Sequence, residues 1–144
     1  MAKAKLIELL NKGLELEHQA EAQYLSHATL LTGETADTIA ARLTEIAGDE
    51  HKHAGMFRDC LEILDAAPSI KMHEGHPATG TMNILKANLK DERDAVDFYR
   101  TIVAELNNSR AELPYEYEFI EHKLRHVIMD EEEHALEVRT LLGE

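Results

Sequence analysis

Four long segments of this sequence repeat apolar residues every three or four positions, and a glutamate interrupts each apolar series. Residues with this spacing lie on one side of an α-helix and form its buried face. The four series are Leu6, Leu10, Gly13, Glu17, Ala20, Tyr24, Ala28 and Leu31; Ile39, Leu43, Ile46, Glu50, His53, Phe57, Cys60 and Leu64; Leu85, Leu89, Glu92, Val96, Tyr99, Val103 and Leu106; and Leu124, Val127, Glu131, His134, Val138 and Leu141. Each interrupting glutamate is therefore expected in the core.

These segments predict four helices and an all-α fold. Ala, Leu, Glu and Lys are abundant, whereas the 144 residues include only 7 Gly and 3 Pro. The first helix is expected near 3–31, ending at Thr32-Gly33, and the second near 35–65 with Thr35 as its N-cap. The third is expected near 81–106. The fourth is expected to start with Pro114 in its first turn and to end near 142.

The lengths of the connections predict the topology of one four-helix bundle domain spanning 1–144. Short breaks near Gly33 and over 107–113 make each helix pair an antiparallel hairpin. The connection over 66–80 can extend ~50 Å at ~3.3 Å per residue, about the length of a helix. We therefore expect two antiparallel hairpins joined by one long crossover.

Buried carboxylates in such a core indicate metal binding. An ionised carboxylate inside a protein is costly unless it is paired or binds a cation. Two divalent ions would balance the four glutamates, and neutral imidazoles would complete the coordination. We therefore expect two metal ions per subunit, held by Glu17, Glu50, His53, Glu92, Glu131 and His134. Oxygen and imidazole ligands favour iron, with manganese or zinc as possible substitutes, and this is the di-iron carboxylate pattern.

The Glu-x-x-His motif is informative only where it lies on an apolar face. The sequence contains three matches, and Glu15-x-x-His18 is a chance occurrence. Glu15 lies ~200° around the helix from Glu17, at ~100° per residue. The matches at Glu50 and Glu131 share the apolar faces of their helices, and these two glutamates are expected to bridge the metal ions, with Glu17 and Glu92 as terminal ligands.

Several neighbouring residues allow two interpretations. Tyr24 follows Glu17 by seven positions, so it is either a core aromatic or a phenol that hydrogen-bonds a bridging glutamate and takes part in catalysis. Asp130 is either a partner of a ligand histidine or a surface residue. Asp49 either guides iron toward the site or lies on a solvated helix face, and the solvated face is expected. Tyr99 and Cys60 are expected in the core.

Charge and hydropathy exclude several functions. The net charge of −13 argues against nucleic acid as a partner, because nucleic acid requires a basic surface. The sequence has no uncharged apolar stretch of the ~20 residues that a membrane helix needs, and its N-terminal segment is typical of an amphipathic helix, not of a signal peptide. One cysteine fits a reducing cytoplasm, where we expect the protein.

The same residues resemble the bacterioferritin and rubrerythrin branch of the ferritin-like superfamily. Leu16-Glu17, Gln23-Tyr24-Leu25-Ser26-His27-Ala28, Asp49-Glu50-His51-Lys52-His53-Ala54 and Asp130-Glu131-Glu132-Glu133-His134 are similar to segments of its first, second and fourth helices. The resemblance implies a di-iron site within one subunit that binds Fe(II) and reacts with O2 or H2O2. The expected enzyme is a ferroxidase or a peroxide- or O2-reducing oxidoreductase.

Three departures from these relatives restrict the expectation. His51 stands where bacterioferritins place a haem-binding Met, so no haem is expected. The chain leaves no room for the fifth helix of cage-forming ferritins after His134, so a homodimer is expected in preference to a 24-subunit shell. Ala95 stands where rubrerythrins carry an extra Glu, and a single Cys excludes a fused rubredoxin domain.

Three other functions fit the same residues. The first is iron storage or detoxification in a bacterioferritin-like cage. The second is a hydroxylase, which would need an apolar pocket beside the metal ions. The third is a helical bundle with a structural, redox-silent metal such as zinc.

Overall fold

Four α-helices dominate the computed structural model, which describes residues 2–144. They are α1 (Ala2–Ala28), α2 (Ala36–Ile63), α3 (Thr81–Asn108) and α4 (Tyr117–Leu141), with a short 3₁₀ helix at Arg110–Glu112. No strand occurs within 2–144. Met1, the first residue of the predicted domain, lies outside the described residues. No helix in the described part of the chain is long and apolar enough to cross a membrane.

The end of α1 and the start of α2 differ in detail from the prediction. The first helix ends at Ala28, three residues early, and continues as a turn in which the Leu30 N–H donates to the His27 carbonyl at 3.0 Å. Thr35 precedes α2 as predicted, but its side chain makes no capping hydrogen bond.

The predicted start of the fourth helix at Pro114 is wrong. Leu113 is fully buried and has a non-helical backbone, with φ −129° and ψ 55°. A residue before proline avoids the helical region, so the chain first turns through residues 114–116. α4 begins at Tyr117, whose N–H donates to the Leu113 carbonyl at 3.3 Å.

Contacts between the hairpins fix the directions of the helices. α1 pairs mainly with α2, and α3 pairs mainly with α4. Tyr24 and Glu17 of α1 contact Glu92 and Tyr99 of α3, in that order, so α1 and α3 are antiparallel. The fold is therefore the predicted all-α four-helix bundle of two hairpins.

The crossover (residues 64–80) runs along α1 from one end of the bundle to the other. Ser69 N–H donates to Asn11 Oδ1 at 2.8 Å, and His76 N–H donates to Gln23 Oε1 at 2.7 Å. At its end, Thr81 Oγ1 donates to the Thr32 carbonyl at 3.1 Å. The connection thus spans the bundle as its length predicted.

The apolar core consists of two clusters on either side of the bundle's midpoint. One cluster includes Leu10, Phe57 and Leu106, and the other includes Leu43, Ile84 and Val138. The polar residues predicted as metal ligands lie in α1 to α4 between these clusters, where apolar packing on both sides keeps water away.

Candidate metal centre

All six residues predicted as metal ligands are buried in the middle of the bundle. Their exposed fractions are Glu17 0%, Glu50 0%, His53 1%, Glu92 2%, Glu131 1% and His134 2%. Each occupies a position on its helix where the series of apolar residues would otherwise continue. The helical periodicity therefore brings four carboxylates and two imidazoles into one enclosed space.

These side chains form two groups that share two glutamates. One group contains Glu17, Glu50, His53 and Glu131, and the other contains Glu50, Glu92, Glu131 and His134; within each group the potential ligand atoms lie within 4.8 Å of one another. Nδ1 of His53 lies 3.1 Å from Glu131 Oε1 and 3.2 Å from Glu50 Oε1. Two adjacent cation positions with two shared carboxylates fit this arrangement.

Many polar atoms of these residues have no hydrogen-bond partner, and this also indicates room for two cations. Among the buried side-chain atoms described, those without a hydrogen-bond partner are Glu17 Oε2, both Glu50 oxygens, His53 Nδ1, Glu92 Oε2, Glu131 Oε1, His134 Nδ1 and Glu137 Oε2. All except the Glu137 atom belong to the six clustered residues. Buried polar atoms are normally satisfied. Metal ions between the two groups would satisfy these oxygen and nitrogen atoms together.

Two aspartates orient the histidines. His53 of α2 places Nε2 2.8 Å from Asp130 of α4, and His134 of α4 places Nε2 2.9 Å from Asp49 of α2. A carboxylate that accepts the Nε2 proton leaves the Nδ1 lone pair free for a metal. Of the two interpretations of Asp130, the histidine partner is correct. The Asp49 side chain is 40% exposed, which fits the expected solvated face, but its contact with His134 was not predicted.

Two tyrosines hold the outer glutamates. Tyr24 donates its hydroxyl to Glu92 Oε1 at 2.6 Å, and Tyr99 donates to Glu17 Oε1 at 2.8 Å. Tyr24 therefore contacts a glutamate that belongs to only one of the two groups, and not Glu50 or Glu131, which were expected to bridge. Tyr99 lies in the core as predicted, but its hydrogen bond was not foreseen. Its spacing of seven residues from Glu92, which matches that of Tyr24 from Glu17, was the available signal.

The contacts are related by a pseudo-twofold axis that exchanges the hairpins. The equivalent pairs are Glu17 and Glu92, Tyr24 and Tyr99, Asp49 and Asp130, Glu50 and Glu131, and His53 and His134. Each hairpin thus supplies the same five functional groups, and the aspartates and tyrosines act on groups of the other hairpin.

Burial shifts the acid–base equilibria of the centre. Burial, with repulsion from Glu131, raises the pKa of Glu17 to about 7 and that of Glu92 to about 8. Burial also raises the pKa of Glu50 and of Glu131. Burial by itself would lower the pKa of His53, but the surrounding carboxylates, Glu131 first, outweigh burial and raise that pKa above its ordinary value. Without cations, the centre therefore retains protons.

The remaining candidates lie outside this centre. Glu15 accepts from Ser69 Oγ at 2.6 Å, and His18 Nδ1 lies 2.7 Å from the Lys71 carbonyl, so this Glu-x-x-His match faces the crossover. His126 is exposed, with Nε2 3.2 Å from Asp130. Cys60 is buried, and burial raises its thiol pKa to about 12.

Known proteins share this fold and parts of this sequence. The ferritin-like domain family matches residues 7–144. Bacterioferritin from Desulfovibrio desulfuricans is 33% identical over 94 residues, which are 65% of this chain and 52% of that protein. The matched region thus spans about half of that bacterioferritin.

A solved structure described as ferritin-like, diiron-carboxylate proteins from Bacillus anthracis str. Ames has the same fold. It superposes with a TM-score of 0.89 at 22% identity and covers 99% of this chain and 98% of that one. The family match covers both hairpins and every clustered residue described above. This chain belongs to the ferritin-like domain family.

Proposed function

We propose that this protein is a di-iron carboxylate oxidoreductase that binds two Fe(II) ions within one subunit and oxidises them with O2 or H2O2. The observation that supports this most is the concentration of buried atoms without partners in the six clustered residues. An oxygen and imidazole donor set without a thiolate suits iron. Bound iron would supply the electrons and the place where the oxidant is reduced.

The geometry suggests a role for each residue. Glu50 and Glu131 belong to both groups and would bridge the ions. Glu17 with His53 would complete one coordination sphere, and Glu92 with His134 the other. Four carboxylates match the charge of two divalent cations, and the histidines add none when neutral.

The neighbouring residues would keep these ligands in position. Asp130 and Asp49 hold the histidines with Nδ1 toward the centre, and Tyr99 and Tyr24 hold one oxygen of Glu17 and of Glu92. Burial raises the pKa of both phenols well above the ordinary value, so each stays protonated as a donor. The chain thus supplies a rigid, dry site with charge balanced for two cations.

Anaerobic Fe(II) titration followed by stopped-flow mixing with O2 or H2O2 tests the proposal. We expect saturation near two ions per chain and rapid oxidation in the wild type, and large losses of rate in Glu50→Ala and Glu131→Ala. His53→Ala should lose activity, whereas His18→Ala, which alters the chance Glu-x-x-His match, should not. Oxidation by Glu50→Ala and Glu131→Ala at the wild-type rate would contradict the proposal.

Iron storage in a cage is the second candidate, and the bacterioferritin match favours it. Both functions use the same centre, so the mass of the assembly distinguishes them. Light scattering that gives the mass of a dimer, the assembly we expect, would exclude storage inside a shell. The mass of a large shell, together with retention of many iron atoms per chain after loading, would support it.

A further inference from the structure

A cavity of about 530 Å³ lies between α1 and α3, beside the candidate metal centre. Glu50, Glu92 and Glu131 line its inner end together with Tyr24 and Tyr99. Small-molecule sites typically have ~300–1,000 Å³, whereas a single water needs only ~10–15 Å³. The cavity is therefore much larger than passage of O2 or peroxide requires.

Two alanines keep this space open. Ala20 follows Glu17 by three residues and Ala95 follows Glu92 by three, so they occupy equivalent positions in the two hairpins, and both line the cavity. Phe98 and Leu16 complete an apolar wall. A longer side chain at either alanine would project into the space because positions three apart share a helix face.

The opposite side of the centre is occupied. Asp49 and Asp130 lie between α2 and α4 and contact the outer nitrogens of the two histidines at 2.9 and 2.8 Å. On the cavity side, Glu50, Glu92 and Glu131 line the innermost part of the space between α1 and α3, where each is at most 2% exposed. A molecule bound in the cavity would thus lie against the centre.

The crossover covers the outer part of the cavity and is held there by polar contacts. His76 N–H donates to Gln23 Oε1 at 2.7 Å, and His76 Nδ1 lies 2.9 Å from Asp91 Oδ1. Gln23 Nε2 also donates to Asp91 Oδ2 at 2.7 Å. These contacts place a buried amide and a carboxylate beside the apolar wall.

Charge in the cavity selects the kind of ligand. Glu15 and Asp91 line it in addition to the three glutamates of the centre, Asp94 is paired with Lys90 at 2.5 Å, and Lys12 supplies one positive charge. Even with the central glutamates neutralised by cations, the carboxylates outnumber the lysine. Charges of the same sign as a ligand oppose its binding. The excess of carboxylates therefore disfavours an anion and favours a cation.

We propose, resting on the function proposed above, that this cavity binds a small cationic molecule with an aromatic body, of the arylalkylamine class, beside the metal centre. The ring would lie between Phe98, Ala20 and Ala95, and the ammonium group would face the carboxylates of Asp91 and Glu15.

Calorimetric titration of the iron-loaded and the zinc-loaded protein with three probes tests this proposal. The probes are benzylamine, benzoate of similar size with the opposite charge, and methylammonium without the ring. We expect benzylamine to bind at least about tenfold more tightly than either of the others, a difference of about 1.4 kcal/mol. Equal binding of benzoate and benzylamine would overturn the proposal, as would no binding of benzylamine.

Cavity-filling variants locate the binding. Ala95→Leu and Ala20→Leu should each weaken benzylamine binding at least about tenfold, whereas Ala104→Leu, on the exposed face of the same helix as Ala95, should not. Circular dichroism confirms folding of each variant. Unchanged affinity in a folded Ala95→Leu or Ala20→Leu protein would overturn the assignment to this cavity.

Fe(II) oxidation measured on the same wild-type preparation separates the two proposals. Oxidation of iron without benzylamine binding would refute the cavity ligand alone. Absence of iron binding and oxidation would refute the proposed function, whatever the calorimetry of the zinc-loaded protein shows.

Discussion

The aspartates beside the histidines show how single residues determine what this core can bind. Each of Asp130 and Asp49 lies next to a glutamate of the centre in sequence but contacts the histidine of the other hairpin, at 2.8 and 2.9 Å. Each accepts the Nε2 proton, so the Nδ1 atoms of both histidines face the carboxylates. The two contacts therefore also hold α2 and α4 together at the level of the centre.

Replacing one aspartate should weaken metal binding. Asn at position 130 can donate a hydrogen bond to Nε2 and thereby favour a proton on Nδ1, where the metal should bind. Loss of such a partner typically reduces metal affinity ~10–100-fold, so we expect Asp130→Asn and Asp49→Asn to shift chelator-competition curves for zinc or Fe(II) by that factor. Asp37→Asn, on an exposed part of α2, is the control. Wild-type affinity in both variants would show that the contacts do not orient the ligands.

For single residues, the sequence predicts burial better than it predicts which residues form hydrogen bonds with each other. Helical periodicity placed six polar residues in the core, and all six are there. It did not pair Tyr24 with Glu92, Tyr99 with Glu17, or Asp49 with His134, because such pairs depend on how one hairpin is aligned against the other. That alignment is a property of tertiary packing, which a single helix does not encode.

The contact between α1 and α2 depends on one glycine. A β-carbon at Gly13 would lie 2.5 Å from Cε1 of Phe57, which is a rigid ring in the core next to Tyr99. Gly13 is buried in α1, where glycine costs ~1 kcal/mol relative to alanine. Glycine is nevertheless suited to position 13, because the Phe57 ring leaves no space for a β-carbon there.

We expect Gly13→Ala to destabilise the protein although alanine is the better helix former. Overpacking of a core typically costs ~1–3 kcal/mol, which lowers Tm by ~2–4 °C per kcal/mol for a protein of this size. Gly48→Ala is the matched control, because a β-carbon there has no neighbour within 4 Å, and it should stabilise α2 by up to ~1 kcal/mol. Equal stabilisation by both substitutions in thermal unfolding would contradict the packing account.

The start of α4 is the helix boundary that the sequence predicts incorrectly. Pro114 is a suitable first-turn residue, yet α4 begins at Tyr117. Leu113 is fully buried and precedes a proline, and its φ and ψ angles lie outside the helical region. The crossover was predicted well, because chain length alone limits how two hairpins can be joined.

The molecule as a whole combines a net charge of −13 with a centre that holds four carboxylates away from water. Burial raises the pKa of Glu17 to about 7 and that of Glu92 to about 8. Without cations, protons on these carboxyls therefore offset part of the buried charge. Binding of cations at this centre would therefore release protons.

The stability of the metal-free protein should fall as pH rises. The ordinary pKa of a glutamate is 4.5, so between pH 4.5 and about 8 the folded state holds protons on Glu17 and Glu92 that the unfolded chain has lost. Excess protons in the folded state mean that the free energy of unfolding decreases with pH. The histidines act in the same direction above pH 6.5, since their pKa values are raised from 6.5.

Thermal unfolding between pH 5.5 and 8.5 measures this effect. We expect the Tm of the metal-free protein to decrease over this range and the difference from the zinc-loaded protein to increase. The double variant Glu17→Gln with Glu92→Gln should reduce the slope. A Tm of the metal-free protein that rises with pH would show that the carboxyls are not held protonated.

The fold class and the residues of the centre could be predicted from the sequence, because both follow from helical periodicity and the cost of buried charge. The cavity could not. It arises from Ala20 and Ala95 on different hairpins and from the crossover that covers them. Small residues on two separate helices leave a space only when the helices are placed side by side.

Crystallography of the iron-loaded protein at the iron absorption edge would locate the metal ions in the bundle. We expect two anomalous-difference peaks between Glu50 and Glu131, one adjacent to Nδ1 of His53 and the other adjacent to Nδ1 of His134. A single peak at the centre, or iron bound only at surface histidines such as His126, would contradict the account.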